Sequence, residues 1–149
     1  MSALKSEAKV TLEWIEGEDL KIKFNSELMN DVTIKRKGVP SEKMGGEARK
    51  LLAAALAECM CSTLYFLLKW AKVDFSVLRA EAVPVTSKDE KGRLYVDRID
   101  LMINLEIKGD QDDLKRLSRV ENLFKRGCLM SRSIKKGIEI NYKIITERR

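Results

Sequence analysis

Along the first third of the chain, apolar and polar positions alternate. Val10, Leu12 and Trp14 fall on one face, Thr11 and Glu13 on the other, and Gly17 breaks the run. Leu20, Ile22 and Phe24 then alternate with Lys21 and Lys23, and Val32 and Ile34 with Thr33 and Lys35. Period two predicts three half-buried strands in an antiparallel meander. The pattern lapses over residues 37–46, where Pro40 and the pair Gly45-Gly46 read as a loop.

The alternation then gives way to residues 51–68, LLAAALAECMCSTLYFLL, which are apolar on every side. Such a helix is either buried in protein or spans a membrane. The run is short of the ~20 apolar residues a span needs, and Glu58 sits near its middle. Its small residues Ala53, Ala54, Ala55 and Ala57 suit close packing, so a central core helix over residues 47–72 is expected, with no membrane partner. Glu47 in the first turn and Lys69 and Lys72 in the last agree with the helix dipole.

Two strands are predicted next, over residues 75–86, where Pro84 points to an edge or a bulge, and around Ile99, Leu101, Ile103, Leu105 and Ile107. Asp110 can cap a second helix striped by Leu114, Leu117, Val120 and Phe124, which Gly127 is placed to end. A short helix over 129–136 and a last strand over 138–145 complete the order βββ–α–ββ–α–α–β. This is an α+β fold with largely antiparallel sheets. One domain is the natural expectation for 149 residues.

Composition sharpens the chemistry. The chain has no histidine and three cysteines, with no Cys-x-x-Cys pair. That excludes a Ser-His-Asp triad, a Cys-His dyad and His-ligated metals, and argues against a structural zinc site. No metal and no cofactor are expected; catalysis would run on thiols, cations, carboxylates and hydroxyls. The N-terminal residues lack the apolar core of a signal peptide, so a cytoplasmic location with reduced thiols is expected. The net charge of +6 raises nucleic acid as a partner. Its one clear basic excess, residues 125–136, holds no aromatic for base stacking and reads better as a solvated face.

Cys59 and Cys61 lie about 200° apart on a helix and cannot easily pair with each other. Cys59 shares its face with Ser62 and Thr63; Cys61 has an almost wholly apolar setting. Both can be small core hydrophobes. Cys128 follows Gly127, opens a helix and has Lys125, Arg126 and Arg132 nearby, a setting that lowers a thiol pKa. From its local residues it can be either reactive or structural.

The stretch Leu51-Leu-Ala-Ala-Ala-Leu-Ala-Glu-Cys59 resembles the central helix of the OsmC/Ohr proteins (osmotically inducible protein C and organic hydroperoxide resistance proteins). Gly127-Cys128-Leu-Met-Ser131-Arg-Ser-Ile134 is similar to their second cysteine motif, and the element order agrees. The resemblance implies an intertwined homodimer of a single OsmC-like domain, residues 1–149. It implies a thiol peroxidase acting on organic hydroperoxides or hydrogen peroxide, with catalytic residues Cys59 and Cys128. Cys59 would attack the peroxide and become a sulfenic acid. Cys128 would resolve it to a disulfide, which a dithiol or thioredoxin-type partner reduces.

Four features depart from the family pattern. Arg49 stands where a Glu ten residues before the first cysteine would, and Ala48 replaces a proline. The N-terminal hairpin holds Lys21 and Lys23 but no Arg to pair with that Glu, and Leu129 follows Cys128 in place of a proline. A cation to ionise Cys59 would have to come from Arg49, Arg36 or the basic residues of 125–136. The same departures leave open a catalytically altered protein of this fold that binds an apolar or acidic small molecule at the dimer interface.

Overall fold

The computed structural model describes residues 7–148. The N-terminal segment read above for an export signal therefore lies largely outside the described residues. Two compact units divide between Ala48 and Arg49.

The first unit is the expected meander: β1 (Thr11–Trp14), β2 (Leu20–Lys23) and β3 (Val32–Ile34), antiparallel in the order β1-β2-β3. Leu12 lies opposite Ile22, and Ile22 opposite Val32, so the apolar faces share one register. Leu20 and Ile22 are buried and the lysines between them exposed. The outer strand β1 departs from the half-buried expectation, since all four of its residues are exposed. At an edge it has one neighbour only, and Trp14 finds its partner in the Arg36 guanidinium, 5.5 Å from the ring centroid.

Arg36 itself is fixed from two directions. Its backbone N–H, with that of Lys37, donates to Asp19 Oδ1 at 2.8 and 2.9 Å. Its guanidinium grips Glu47, Nη1 to Oε1 at 3.0 Å and Nη2 to Oε2 at 3.5 Å. This fork on a carboxylate ties the chain leaving β3 to the residue that opens α1 (Glu47–Trp70).

In the second unit α1 continues from Arg49. Alanines, leucines and the absence of glycine or proline favour its length. It stops in a Schellman turn: Val73 N–H reaches Leu68 O and Lys72 N–H reaches Lys69 O, with Lys72 at φ +59°. The hairpin β4 (Phe75–Lys88) and β5 (Leu94–Ile107) follows, longer at its turn end than the sequence pattern predicts. Its register slips between Val85 and Thr86, next to Pro84. A proline is tolerated there because both strands of a two-stranded sheet are edges. Asp110 accepts from Asp113 N–H at 2.7 Å and caps α2 (Gln111–Phe124), which is followed by α3 (Leu129–Lys136).

The core of this unit gathers Leu64 and Leu68 of α1, Val73, and Val120 of α2. Leu78 of β4, Ile103 and Leu105 of β5, and Phe124 pack around them. By length and hydropathy α1 could cross a membrane. Its place in this cluster makes it a core helix.

Two differences from the sequence reading stand out. The helix is buried along one stripe (Ala53, Leu56, Leu64 and Leu68), while Phe66 and Trp70 are exposed. One hairpin and two short helices can cover only one side of it. The predicted last strand is also missing: residues 137–148 form no ladder, although Ile138, Ile140, Tyr142 and Ile144 keep the period-two pattern. Alternation supplies a face, but a strand also needs a neighbour for its main chain, and this segment has none here.

Candidate functional site

Cys59 lies midway along α1 and Cys128 at the N-cap of α3, and the fold brings the two together. The first turn of α3 is the meeting point. Met130 N–H donates to Cys59 Sγ at 3.5 Å, and the next amide, Ser131 N–H, donates to Cys128 Sγ at 3.3 Å. Two consecutive amides of one helical turn thus hold both sulfurs.

Cys128 serves as the cap itself. Its sulfur takes the Ser131 amide, and Ser131 Oγ accepts from Cys128 N–H at 2.9 Å, which closes a reciprocal capping box. Gly127 makes room for it. At φ +81° it turns the chain out of α2, and a Cβ there would sit 2.7 Å from Ser131 Oγ.

The two thiols differ in ionisation. Burial pushes Cys59 up; the Met130 amide opposes this, while contact with Cys128 and the charge of Glu58 push it further up. Cys128 is more buried, at 3 % exposed, and burial alone would raise it too. The Ser131 amide, the Cys59 thiol, the Ser131 hydroxyl and the Met130 amide outweigh burial and bring it below the ordinary thiol value. The more acidic thiol is Cys128, as its helix N-terminus dictates.

The leading influences on either sulfur include no cation. Arg49 donates to Thr86 Oγ1 at 2.6 Å, and Arg132 to the carbonyls of Arg126 and Gly127. Arg36 is engaged by Glu47 in the first unit. The hydroxyls on the Cys59 face turn to their own helix, Thr63 to the Cys59 carbonyl at 2.9 Å and Ser62 to Glu58. Cys61 is apart from the pair; burial, then Glu58, raises it.

Close to the pair, lined by its neighbours in the chain and by neither cysteine, is a cavity of about 740 Å³. Leu52, Leu56 and Met60 of α1 form one wall, Val96, Ile99 and Leu101 of β5 another. Gly127 and Ser131, on either side of Cys128 in the chain, line it as well; Lys125 and Lys135 bring positive charge, Asp97 a negative one, and Arg98 is paired with Asp97 and Asp100. Among the described residues, no cluster of carboxylates and thiols could hold a metal ion.

The sequence reading named both cysteines but missed what joins them. The Met130 and Ser131 amides leave no trace in side-chain pattern. A Cys-x-x-Ser spacing at a helix start was the available signal, being a capping box with sulfur in place of the hydroxyl.

Two cysteines far apart in sequence, joined at a helix N-terminus beside an apolar cavity in an α+β fold, define a dithiol protein. The profile of the family described as OsmC-like protein matches residues 41–143, and the chain belongs to that family. Among solved structures it is similar to an OsmC-like protein of unknown function from Vibrio cholerae, at 16 % identity and a TM-score of 0.67, covering 86 % of this chain and 93 % of that one. An OsmC-like protein from Mycoplasma pneumoniae is similar at 13 % identity, TM-score 0.64, with 89 % of each chain covered. An organic hydroperoxide resistance protein of Bacillus subtilis is similar at 20 % identity, TM-score 0.52, with 85 % and 89 % covered. Identities this low speak for the fold alone. No sequence among curated proteins matches the chain.

Proposed function

We propose that the protein is a dithiol peroxidase that reduces organic hydroperoxides or hydrogen peroxide through Cys59 and Cys128. The observation that carries this reading is the pair of sulfurs held on consecutive amides of α3. The apolar cavity alongside suits an organic substituent on the peroxide. The name of the similar Bacillus subtilis protein points the same way.

The chemistry runs on the two thiols, the hydroperoxide and an external dithiol. The Cys59 thiolate attacks the terminal peroxide oxygen, the O–O bond breaks, and the alkoxide leaves to become an alcohol. Cys59 is then a sulfenic acid. The Cys128 thiolate attacks its sulfur, hydroxide departs, and a disulfide forms. A dithiol or thioredoxin-type partner supplies two electrons to restore both thiols. Both cysteines must start reduced, which fits a cytoplasmic setting. The working form in this reading is a homodimer, whose second copy covers the exposed side of α1 and the unpaired residues 138–145.

A second reading is favoured by the cavity itself. In it this fold holds an apolar, anionic small molecule between the hydrocarbon walls and Lys125 and Lys135.

One experiment separates the two. Reduced protein is treated with one equivalent of cumene hydroperoxide and mapped by mass spectrometry. A Cys59–Cys128 disulfide and a sulfenic acid trapped at Cys59 in Cys128→Ser are expected. Thiols left unchanged would remove the peroxidase reading and leave the binding one.

A further inference from the structure

Cys128 opens α3, but the residue before it is a glycine. Gly127 stands at φ +81° and has no side chain to limit its rotation. A sulfur carried one residue beyond such a pivot can point in many directions. Resolving a sulfenic acid needs one of them, because Cys128 Sγ must reach Cys59 Sγ from the side opposite the departing oxygen. The side chain that holds residue 128 against that freedom is Ser131.

Ser131 meets Cys128 at three points. Its hydroxyl accepts from the Cys128 N–H at 2.9 Å and donates to the Cys128 carbonyl at 3.1 Å. Its amide donates to Cys128 Sγ at 3.3 Å. The hydroxyl thus grips the peptide groups on both sides of the Cys128 Cα, which stands at φ −105° and ψ 175°. A fixed backbone fixes the direction of Cβ, and the Ser131 amide then selects the side-chain rotamer. Ser131 is buried, which keeps water from competing for these bonds. The sulfur so placed is in contact with Cys59, whose own Sγ takes the Met130 amide from the same turn.

We infer that Ser131 is the positioning residue of disulfide formation, its hydroxyl holding the Cys128 backbone so that Sγ meets Cys59. This rests on the proposed peroxidase reading, in which Cys128 resolves a Cys59 sulfenic acid. In that step the Cys128 sulfur bonds to the Cys59 sulfur as the S–O bond breaks, and the oxygen leaves with the thiol proton as water. Ser131 takes no part in the bond changes. It reduces the arrangements the thiol must search before they occur.

Capping α3 is not a sufficient reason for the arrangement. Sulfur is a weak acceptor, and a serine at position 128 would cap the same helix more strongly. The capping box is built around a sulfur instead, on the turn that also holds the other sulfur.

The test compares wild type, Ser131→Ala, Ser131→Thr and Ser133→Ala. Ser133 Oγ donates to the Leu129 carbonyl at 2.7 Å, so its removal costs α3 a hydroxyl bond of the same kind away from Cys128. The first arm uses no peroxide: each protein is equilibrated in glutathione redox buffers, and its Cys59–Cys128 disulfide is counted by peptide mass spectrometry. The midpoint for Ser131→Ala should move at least about fivefold toward oxidising buffer, the weight of one lost hydrogen bond. Ser131→Thr, which keeps the hydroxyl, and Ser133→Ala should stay near wild type.

The second arm adds cumene hydroperoxide and traps the Cys59 sulfenic acid with dimedone. In Ser131→Ala that acid should form at the wild-type rate and persist at least about fivefold longer. A purely structural role would move Ser133→Ala alongside and would not split the two steps. Wild-type midpoints and lifetimes in Ser131→Ala would overturn the proposal, as would a Ser131→Thr protein as impaired as Ser131→Ala. Should Ser131→Ala not fold, amide exchange in reduced wild type decides: a protected Cys128 N–H supports the clamp, and one that exchanges as freely as a loop amide refutes it. The expected shift in redox buffer, with thiols untouched by hydroperoxide, would remove the peroxidase reading and keep the role of Ser131.

Discussion

At the scale of single residues the site turns on Gly127 and Cys128. Gly127 stands at φ +81° with the Ser131 hydroxyl where its Cβ would be. Alanine there meets both a strained backbone and a clash with the capping box. Gly127→Ala is expected to lower unfolding free energy by about 1–3 kcal/mol in urea titrations. It should also slow disulfide formation after peroxide, because the amides that hold the sulfurs are displaced. Both cysteines and Gly127 were legible in the sequence, since reactive residues and turn glycines are side-chain facts. The amides that bind the sulfurs were not, because every residue has one and only the folded backbone aims it.

At the scale of elements, the Arg36–Glu47 fork fastens the loop after β3 within the first unit. Hydrogen bonding from the Arg36 side chain, then from the Glu47 backbone amide, holds the Glu47 carboxyl below its ordinary value of 4.5. A depressed folded value adds stability that is complete above the unfolded value and drains away as pH falls through the folded one. Glu47→Gln should therefore be less stable than wild type at neutral pH, and the gap should close in acid, as followed by thermal melts across pH. Sequence reading found Glu47 and Arg36 separately, one as a helix-dipole partner and one as a candidate cation for Cys59. Their pairing joins elements eleven residues apart through a loop, and no local period records it. The strands and helices themselves were legible wherever a face is buried, as in β2, where Leu20 and Ile22 alternate with exposed lysines.

At the scale of the whole molecule, the described chain leaves much apolar surface uncovered. Phe66 and Trp70 are 68 % and 57 % exposed, and Ile140 and Tyr142 exceed 80 %. The alternation over 138–145 predicts a strand, and the single chain provides no ladder for it. Both facts have one explanation in the proposed homodimer, where a second copy supplies main-chain partners and cover. Light scattering after size exclusion should give twice the 17.0 kDa chain mass. Ile140→Asp with Tyr142→Asp should shift that value toward a monomer. A wild-type monomer in dilute buffer would count against the dimer. The missing strand shows where sequence reading stops: the pattern reveals which residues want burial, and it is silent on which chain buries them.

The sulfur of Cys128 is also the acceptor that stops the first turn of α3 from fraying. Once bonded to a second sulfur it can no longer ionise, and it becomes a weaker acceptor for the Ser131 amide. Deuterium uptake at Ser131 and its neighbours should accordingly quicken in the oxidised protein and slow again on reduction. The helix end thus becomes a reporter of the electron count, readable with no substrate present.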